Sequence, residues 1–257
     1  MGALPGENNC STAVWLNDTG DVVGTSENGQ IDPLTGFNQS RAVRWKDGEI
    51  TDLGRFGGNQ NTALGINNRG QIVGESLNAI PDPFPCFGFT SSTQCRAFLW
   101  QDGVMTDLGT LGTGTDAAAG YINERGQIAG LSSTSSFPNP VTGLPPVDPF
   151  LIENAQMIDL GTLGGAFGSP GGLNNAGQVI GTSSLASDPG SVSWHWEHRK
   201  LPSASLGPGK PRRPVHKHDR RESPIRAYDQ RRRRDNWRGC FSECTIRCFY
   251  LEKKRSD

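Results

Sequence analysis

The sequence lacks the features of a membrane-spanning protein. No run approaches the roughly 18 consecutive apolar residues that a transmembrane helix needs, and hydrophobic residues make up only 34% of the chain. The first residues carry neither a basic stretch nor an apolar one, so no signal peptide is visible. We therefore expect no membrane span, and any export of this chain has to be argued from other features.

Catalytic and cofactor motifs are missing as well. There is no Gly-x-Ser-x-Gly, no His-Glu-x-x-His and no phosphate-binding loop, and residues 1–198 contain histidine only at His195 and His198. We predict no cofactor and do not predict an enzyme. One alternative stays open, because folding can bring together carboxylates that are distant in sequence. That alternative is an extracellular lyase or hydrolase with a site at the mouth of a propeller.

Charge is unevenly distributed between two parts of the chain. Residues 1–198 hold 7 basic and 19 acidic residues, whereas residues 199–257 hold 18 basic and 7 acidic ones. The second part is rich in Arg, Pro and His and has no apolar periodicity, which is typical of a segment without a packed core. The sequence therefore predicts a folded domain over 1–198 and a basic, disordered tail over 199–257.

What the first part has in quantity is glycine and an internal repeat. The 34 glycines and 17 prolines favour turns and short strands over long helices. One element reads Asn-x-x-Gly, a polar residue, two small or apolar residues and Gly, and its copies lie 50, 56 and 51 residues apart. Its asparagines and first glycines are Asn17, Asn67, Asn123, Asn174, Gly20, Gly70, Gly126 and Gly177.

A second element alternates with the first. Trp45 and Trp100 each precede a polar residue and Asp-Gly, and Asp52 and Asp107 of an Asp-Leu-Gly sequence follow seven residues after each Trp. In a degraded third copy, Ile152 takes the Trp place before Asp159. A fourth copy begins at Trp196 but is not completed.

Both elements have the residues of β-hairpins. Asn and Gly suit a type I turn, and Asp-Gly between apolar stretches is a strong hairpin signal. About four antiparallel strands then fit each period of about 50 residues, which predicts an all-β repeat protein that resembles an incomplete β-propeller. A β-sandwich or a β-solenoid is the alternative architecture.

The repeat residues have structural interpretations with functional alternatives. The tryptophans, including Trp15, are expected to pack between neighbouring repeats, although a sugar-binding face is the alternative. The aspartates are expected to cap the turns that follow their strands. Calcium binding is disfavoured because the dense spacing of oxygen ligands in a calcium loop is missing.

The combination of Trp-x-Asp-Gly, Asp-Leu-Gly-x-Leu-Gly and Ile-Asn-x-x-Gly-Gln-Ile-x-Gly resembles the HAF repeats, a family of bacterial extracellular proteins. The resemblance covers about residues 4–198. The chain departs from it at the family's His-Ala-Phe, where it has Arg41, Arg96 and Asp148 in the place of His. The resemblance implies a secreted protein and no particular reaction. We therefore expect a secreted structural or interaction protein with an unknown extracellular ligand, whose signal peptide and opening strands precede this chain.

The cysteines allow one disulfide prediction. Cys86 and Cys95 flank a Pro-rich insertion before the second Trp element, and a local disulfide between them suits a secreted protein. Two free thiols are the alternative, and Cys10 has no evident partner. Three tail cysteines and two tail histidines could suggest zinc, but their spacing does not favour it. They are Cys240, Cys244, Cys248, His216 and His218.

The basic tail has a second explanation besides function. Arg231–Arg234 would ordinarily suggest binding to nucleic acid through its phosphates. However, the genetic code permits both repeat motifs in one shifted reading frame, across codons 207–214 and 229–237. We therefore expect a frameshift between about residues 198 and 206, and nucleic acid is an unfavoured partner.

Overall fold

A computed structural model describes residues 2–6, 9–84, 93–187 and, for the backbone only, 195–199. The described residues form β-strands and turns without a helix, so none of them belongs to a helix that could span a membrane. The all-β prediction is therefore confirmed. The fifteen strands are β1 (Ser11–Leu16), β2 (Val22–Ile31), β3 (Asn38–Lys46), β4 (Glu49–Asp52), β5 (Gly57–Ile66), β6 (Ile72–Pro81), β7 (Thr93–Gln101), β8 (Val104–Asp107), β9 (Ala117–Ile122), β10 (Ile128–Ser133), β11 (Val147–Glu153), β12 (Gln156–Asp159), β13 (Gly164–Leu173), β14 (Val179–Leu185) and β15 (His195–Arg199).

The strands group into repeats of one antiparallel pattern. Strands β1 to β4 form one four-stranded sheet in sequence order, and β5 to β8 form a second. Strands β9 to β12 pair in the same order, and a single parallel bridge between Val147 and Phe167 joins them to β13, β14 and β15. We call these groups repeats 1 to 4. Their boundaries fall before the strand that precedes each Asn-x-x-Gly turn, so each Asn hairpin shares a sheet with the Trp hairpin that follows it.

One expectation about the first repeat is wrong. Because the chain starts inside a period, its first sheet was expected to lack opening strands. Repeat 1 instead has the same four strands as repeat 2, since the sheet starts at the Asn hairpin rather than at the Trp hairpin. Several strands are also longer than the motifs suggest, and β2, β5 and β6 each span ten residues.

Local sequence explains the tight hairpins. Asp47 and Gly48 in the β3–β4 turn have φ of 51° and 86°, and Asp102 and Gly103 in the β7–β8 turn have 52° and 85°. Two successive residues with positive φ form the type I′ turn that matches the twist of paired strands, and Asp-Gly is among its preferred sequences. The β11–β12 turn has the same form, although its second position is Ala155 with φ of 61°.

Within the part of the chain that the structure describes, the hydrophobic core consists of three clusters, each shared by two neighbouring repeats. Val23 of repeat 1 packs with Ile72, Phe98 and Trp100 of repeat 2. The second cluster joins repeats 2 and 3, and the third places Leu151 of repeat 3 against Val179 of repeat 4. Burial of apolar surface therefore stabilises contacts between repeats, as expected of a repeat protein whose units cannot bury their faces alone.

The first strand of every repeat carries a β-bulge at the same place. The extra residues are Val14, Leu64, Gly120 and Gly171 in β1, β5, β9 and β13. These four strands, the inner strands, contact one another in succession along the chain. Because a bulge bends its strand and redirects side chains, the repeated bulge shapes one common surface.

Candidate ligand-binding cavity

The repeated asparagines do more than form turns, because they connect the repeats. The side-chain amide Nδ2 of Asn17 donates to the backbone oxygen of Asn67 at 3.1 Å, Asn67 donates likewise to Asn123 at 3.0 Å, and Asn123 donates to Asn174 at 2.9 Å. Each Oδ1 also accepts the backbone N–H groups two and four residues ahead, as in Asn67 with Arg69 and Gln71. We call this chain of hydrogen bonds the asparagine ladder.

The ladder is buried except at its end. Asn17, Asn67 and Asn123 are 6%, 2% and 4% exposed, whereas Asn174 is exposed to solvent. The glycines Gly20, Gly70, Gly126 and Gly177 all have φ between 73° and 86°, the left-handed region that glycine tolerates best. The ladder and these turns lock the repeats in register at one end of the sheets.

The aspartates of the second element cap their turns. In each case Oδ1 accepts the backbone N–H of the glycine two residues later, at 2.9 Å for Asp52, 2.8 Å for Asp107 and 2.7 Å for Asp159. This is the geometry that the sequence predicts. Among the described residues no group of three or more His, Cys, Asp or Glu side chains is arranged to hold a metal ion.

The charged side chains that face these aspartates differ between repeats. Arg96 Nε lies 2.9 Å from Asp107 Oδ2, and Arg41 Nε lies 3.8 Å from Asp52 Oδ2. Repeat 3 has Asp148 in the place of arginine. Burial, the nearby charge of Asp159 and a hydrogen bond between the two carboxyls raise the pKa of Asp148 to about 6.

The tryptophans occupy two different environments. Trp45 and Trp100 are buried, and the indole N–H of Trp45 donates to the oxygen of Gly2 at 2.8 Å. Trp15, which the sequence analysis grouped with them, lies on inner strand β1 with 51% of its surface exposed. Grouping it with the packing tryptophans was wrong, because its place in the repeat is that of Gly65 rather than that of Trp45. For Trp196 only the backbone is described, in β15.

The cysteines are oxidised where they are described. Cys10 and Cys95 are each disulfide-bonded. Cys10, for which the sequence suggested no partner, therefore takes part in a disulfide. Cys86 lies outside the described residues, and its pairing with Cys95 stays a prediction. The frameshift, the basic tail from residue 200 onward and its cysteines and histidines lie outside the described residues too.

The inner strands line a cavity of about 420 Å³. We call it the inner cavity. Strands β1, β5, β9 and β13 all contribute to its wall, together with residues of β6 and β10. A smaller cavity of about 180 Å³ shares three of its residues, Trp15, Gly120 and Tyr121. The described residues that line the inner cavity are Val14, Trp15, Leu64, Glu75, Ala118, Gly120, Tyr121, Gly130, Leu131, Ser169 and Pro170.

Aromatic residues and glycines alternate at one position of the inner strands. Trp15 and Tyr121 follow the bulge in repeats 1 and 3, and Gly65 and Gly172 follow it in repeats 2 and 4. A cavity of this size with an apolar wall, aromatic side chains and a few polar groups is of the kind that accepts small molecules. The sequence contains this signal, but only an alignment of the repeats along the bulge shows it.

Glu75 is the one ionisable carboxyl among the described residues that line the cavity. It lies on β6 directly after Gly74 and is 8% exposed. The described part of the chain offers its carboxyl no hydrogen-bond donor, because the sulfur 3.8 Å from Oε2, Cys95 Sγ, belongs to a disulfide. Burial raises the pKa of Glu75 to about 8, so the carboxyl is mostly protonated at neutral pH.

The corresponding position differs in the other repeats. It is occupied by Thr25, Leu131 and Thr182 in repeats 1, 3 and 4. A glutamate there is therefore a departure from the repeat rather than a part of it. Sequence analysis missed Glu75, although its place directly after the last glycine of the Asn element could have drawn attention to it.

Comparison of the chain with protein-family models, with curated proteins and with solved structures finds no match. The case for a function therefore depends on the geometry of the described residues.

Proposed function

We propose that this protein is a binding protein without catalytic activity, a β-repeat scaffold of propeller type that holds a small ligand in the inner cavity. The observation that carries the proposal is the cavity itself, since the inner strands of all four repeats form its wall. Trp15 and Tyr121 supply aromatic surface, and Glu75 supplies one polar group within a largely apolar wall. This combination is the usual one in ligand sites.

The protein acts outside the cell in this proposal. One observation supports that location: Cys10 and Cys95 are disulfide-bonded, and disulfides persist mainly in oxidising compartments. The resemblance of the repeats to the HAF family points the same way. The ladder and the clusters between repeats then serve to hold the cavity wall rigid.

The test fills the cavity without disturbing the backbone. Gly120 lines the cavity, and a Cβ added to it would meet no atom within 4 Å. Gly120→Leu should therefore fold and occupy the space. Thr142→Leu is the control, because it adds leucine at an exposed position in a loop of repeat 3.

A panel of small aromatic and aliphatic fragments would be screened by saturation-transfer NMR against all three proteins. We expect a set of fragments that binds the wild type and Thr142→Leu and loses binding to Gly120→Leu. If every fragment that binds the wild type binds Gly120→Leu equally well, or if none binds the wild type, the proposal is wrong.

A further inference from the structure

We propose that the ligand of the inner cavity is a compact organic cation, an ammonium group with small apolar substituents, whose charge pairs with Glu75 and contacts Trp15 and Tyr121. This inference rests on the proposed function and narrows it to one chemical class. The reasons are the chemistry of the wall, the isolation of the carboxyl and the burial of Glu75.

The wall has the wrong composition for an anion. Among the described residues, its lining contains Glu75 and no lysine, arginine or histidine. A bound anion would bring a second negative charge beside a carboxyl, or at best would face apolar groups. A bound cation meets a carboxylate and two aromatic rings, and the faces of aromatic rings attract cations.

Charged groups on the neighbouring strands are already engaged with other partners. Arg96 of β7 pairs with Asp107 and donates to the backbone oxygen of Thr115 at 3.1 Å. Asp116, next to β9, accepts the backbone N–H of Cys95 at 2.7 Å. These contacts leave Glu75 without an ionic partner within the described residues.

A buried carboxyl without a hydrogen-bond donor is costly to fold around. An ammonium ligand removes that cost, because its N–H groups or its positive charge stabilise the ionised carboxylate. Binding then expels the proton that Glu75 holds in the free protein, as its raised pKa requires. Affinity for the cation should consequently rise with pH up to about 8 and level off above it.

The probes are n-butylammonium, n-butanol and butyrate. They are a cation, a neutral molecule and an anion of similar size. Isothermal titration calorimetry of the full chain measures their affinities at pH 6 to 9 in two buffers of different ionisation heat. We expect butylammonium to bind, with proton release near pH 7, and butanol and butyrate to bind at least roughly tenfold more weakly.

The variant Glu75→Gln keeps the shape of the side chain and removes its charge. It should weaken butylammonium binding by roughly thirtyfold and abolish the pH dependence, while leaving the affinity for butanol unchanged. Glu49→Gln, at an exposed position of β4, is the control and should change neither. A thermal melt of each variant verifies folding.

The outcomes separate this inference from the proposed function. If butanol or other neutral fragments bind in a way that Gly120→Leu abolishes, while butylammonium has no advantage, the cavity binds ligands and the ammonium class is wrong. The same conclusion follows if butylammonium binds Glu75→Gln as tightly as the wild type. If neither cations nor neutral fragments bind, both proposals fail.

Discussion

Repeats 2 and 3 have the same strands in the same order, yet they are stabilised differently at their outer hairpins. In repeat 2 Arg96 pairs with Asp107, and the turn is Asp102-Gly103. In repeat 3 Asp148 faces Asp159, and the turn ends on Ala155. Repeat 3 therefore places two carboxyls together, and at the second position of its turn a residue with a Cβ, Ala155, has the positive φ that glycine has in repeat 2.

The pairing register nevertheless stays the same. Phe98 pairs with Asp107 in repeat 2, and Phe150 pairs with Asp159 in repeat 3. The ladder also passes through both repeats with the same contacts. The comparison teaches that the ladder and the clusters between repeats define the architecture, while the outer hairpin tolerates unfavourable residues.

The largest expected effect on stability comes from removing a hydrogen bond of the asparagine ladder, which both repeats share. Asn67→Ala and Asn123→Ala should each lower the free energy of unfolding by roughly 3 kcal/mol, because each removes a buried side chain and leaves two partly buried backbone N–H groups and one carbonyl without a partner. Asn174→Ala is the matched control at the exposed end of the ladder and should cost about 1 kcal/mol or less.

Urea unfolding followed by far-UV circular dichroism measures the three variants. Equal losses for Asn67→Ala and Asn123→Ala would show that the ladder contributes alike in both repeats. If Asn174→Ala cost as much as the buried pair, the contact between repeats would not be the source of the stability.

The second prediction concerns the carboxyl pair in repeat 3. The pKa of Asp148 is about 6 in the folded protein, above its ordinary value of 3.8. The folded state therefore holds this proton more tightly than the unfolded state does, so the pair lowers stability progressively as pH rises from 3.8 to 6 and by a constant amount above that. Asp148→Asn should raise the free energy of unfolding by about 1–2 kcal/mol at pH 7 and have little effect near pH 3.5.

The control for that variant lies in repeat 2. Asp107→Asn removes the ion pair with Arg96 but keeps an amide oxygen that can accept the N–H of Gly109. It should lower stability by about 0.5 kcal/mol at pH 7. A gain from Asp148→Asn that does not vary between pH 3.5 and 8 would show that the carboxyl pair is not its cause.

Sequence patterns predicted the elements that depend on neighbours in the chain. The Asp-Gly turns and the aspartate caps involve residues within two positions of each other, and the structure has both. The ladder was missed because each asparagine bonds to a residue 50, 56 or 51 positions away. Those separations equal the repeat spacings, so the periodicity held the signal without revealing the contact.

The inner cavity was even harder to predict from the sequence than the ladder, because it depends on how the repeats assemble in three dimensions. Trp15 and Tyr121 belong to different repeats and come near one cavity only because both strands bulge at the same place. Glu75 looks like an ordinary polar residue of an alternating strand, and only its depth in the fold shows that it is buried. Burial and distant pairing are properties of the assembled repeats, and local propensity carries little information about either.

The smallest expected effect sharpens the same comparison at the turn. Ala155 has φ of 61° at the second position of the β11–β12 turn, where Gly103 has 85° in repeat 2. Ala155→Gly removes the clash of Cβ with the backbone, while the added freedom of glycine in the unfolded chain offsets part of the gain. We expect a net stabilisation of about 0.5 kcal/mol in urea unfolding at pH 7, and a loss of about 1 kcal/mol for the mirror variant Gly103→Ala. If both changes were neutral, the positive φ at this position would contribute nothing to the difference between the two repeats.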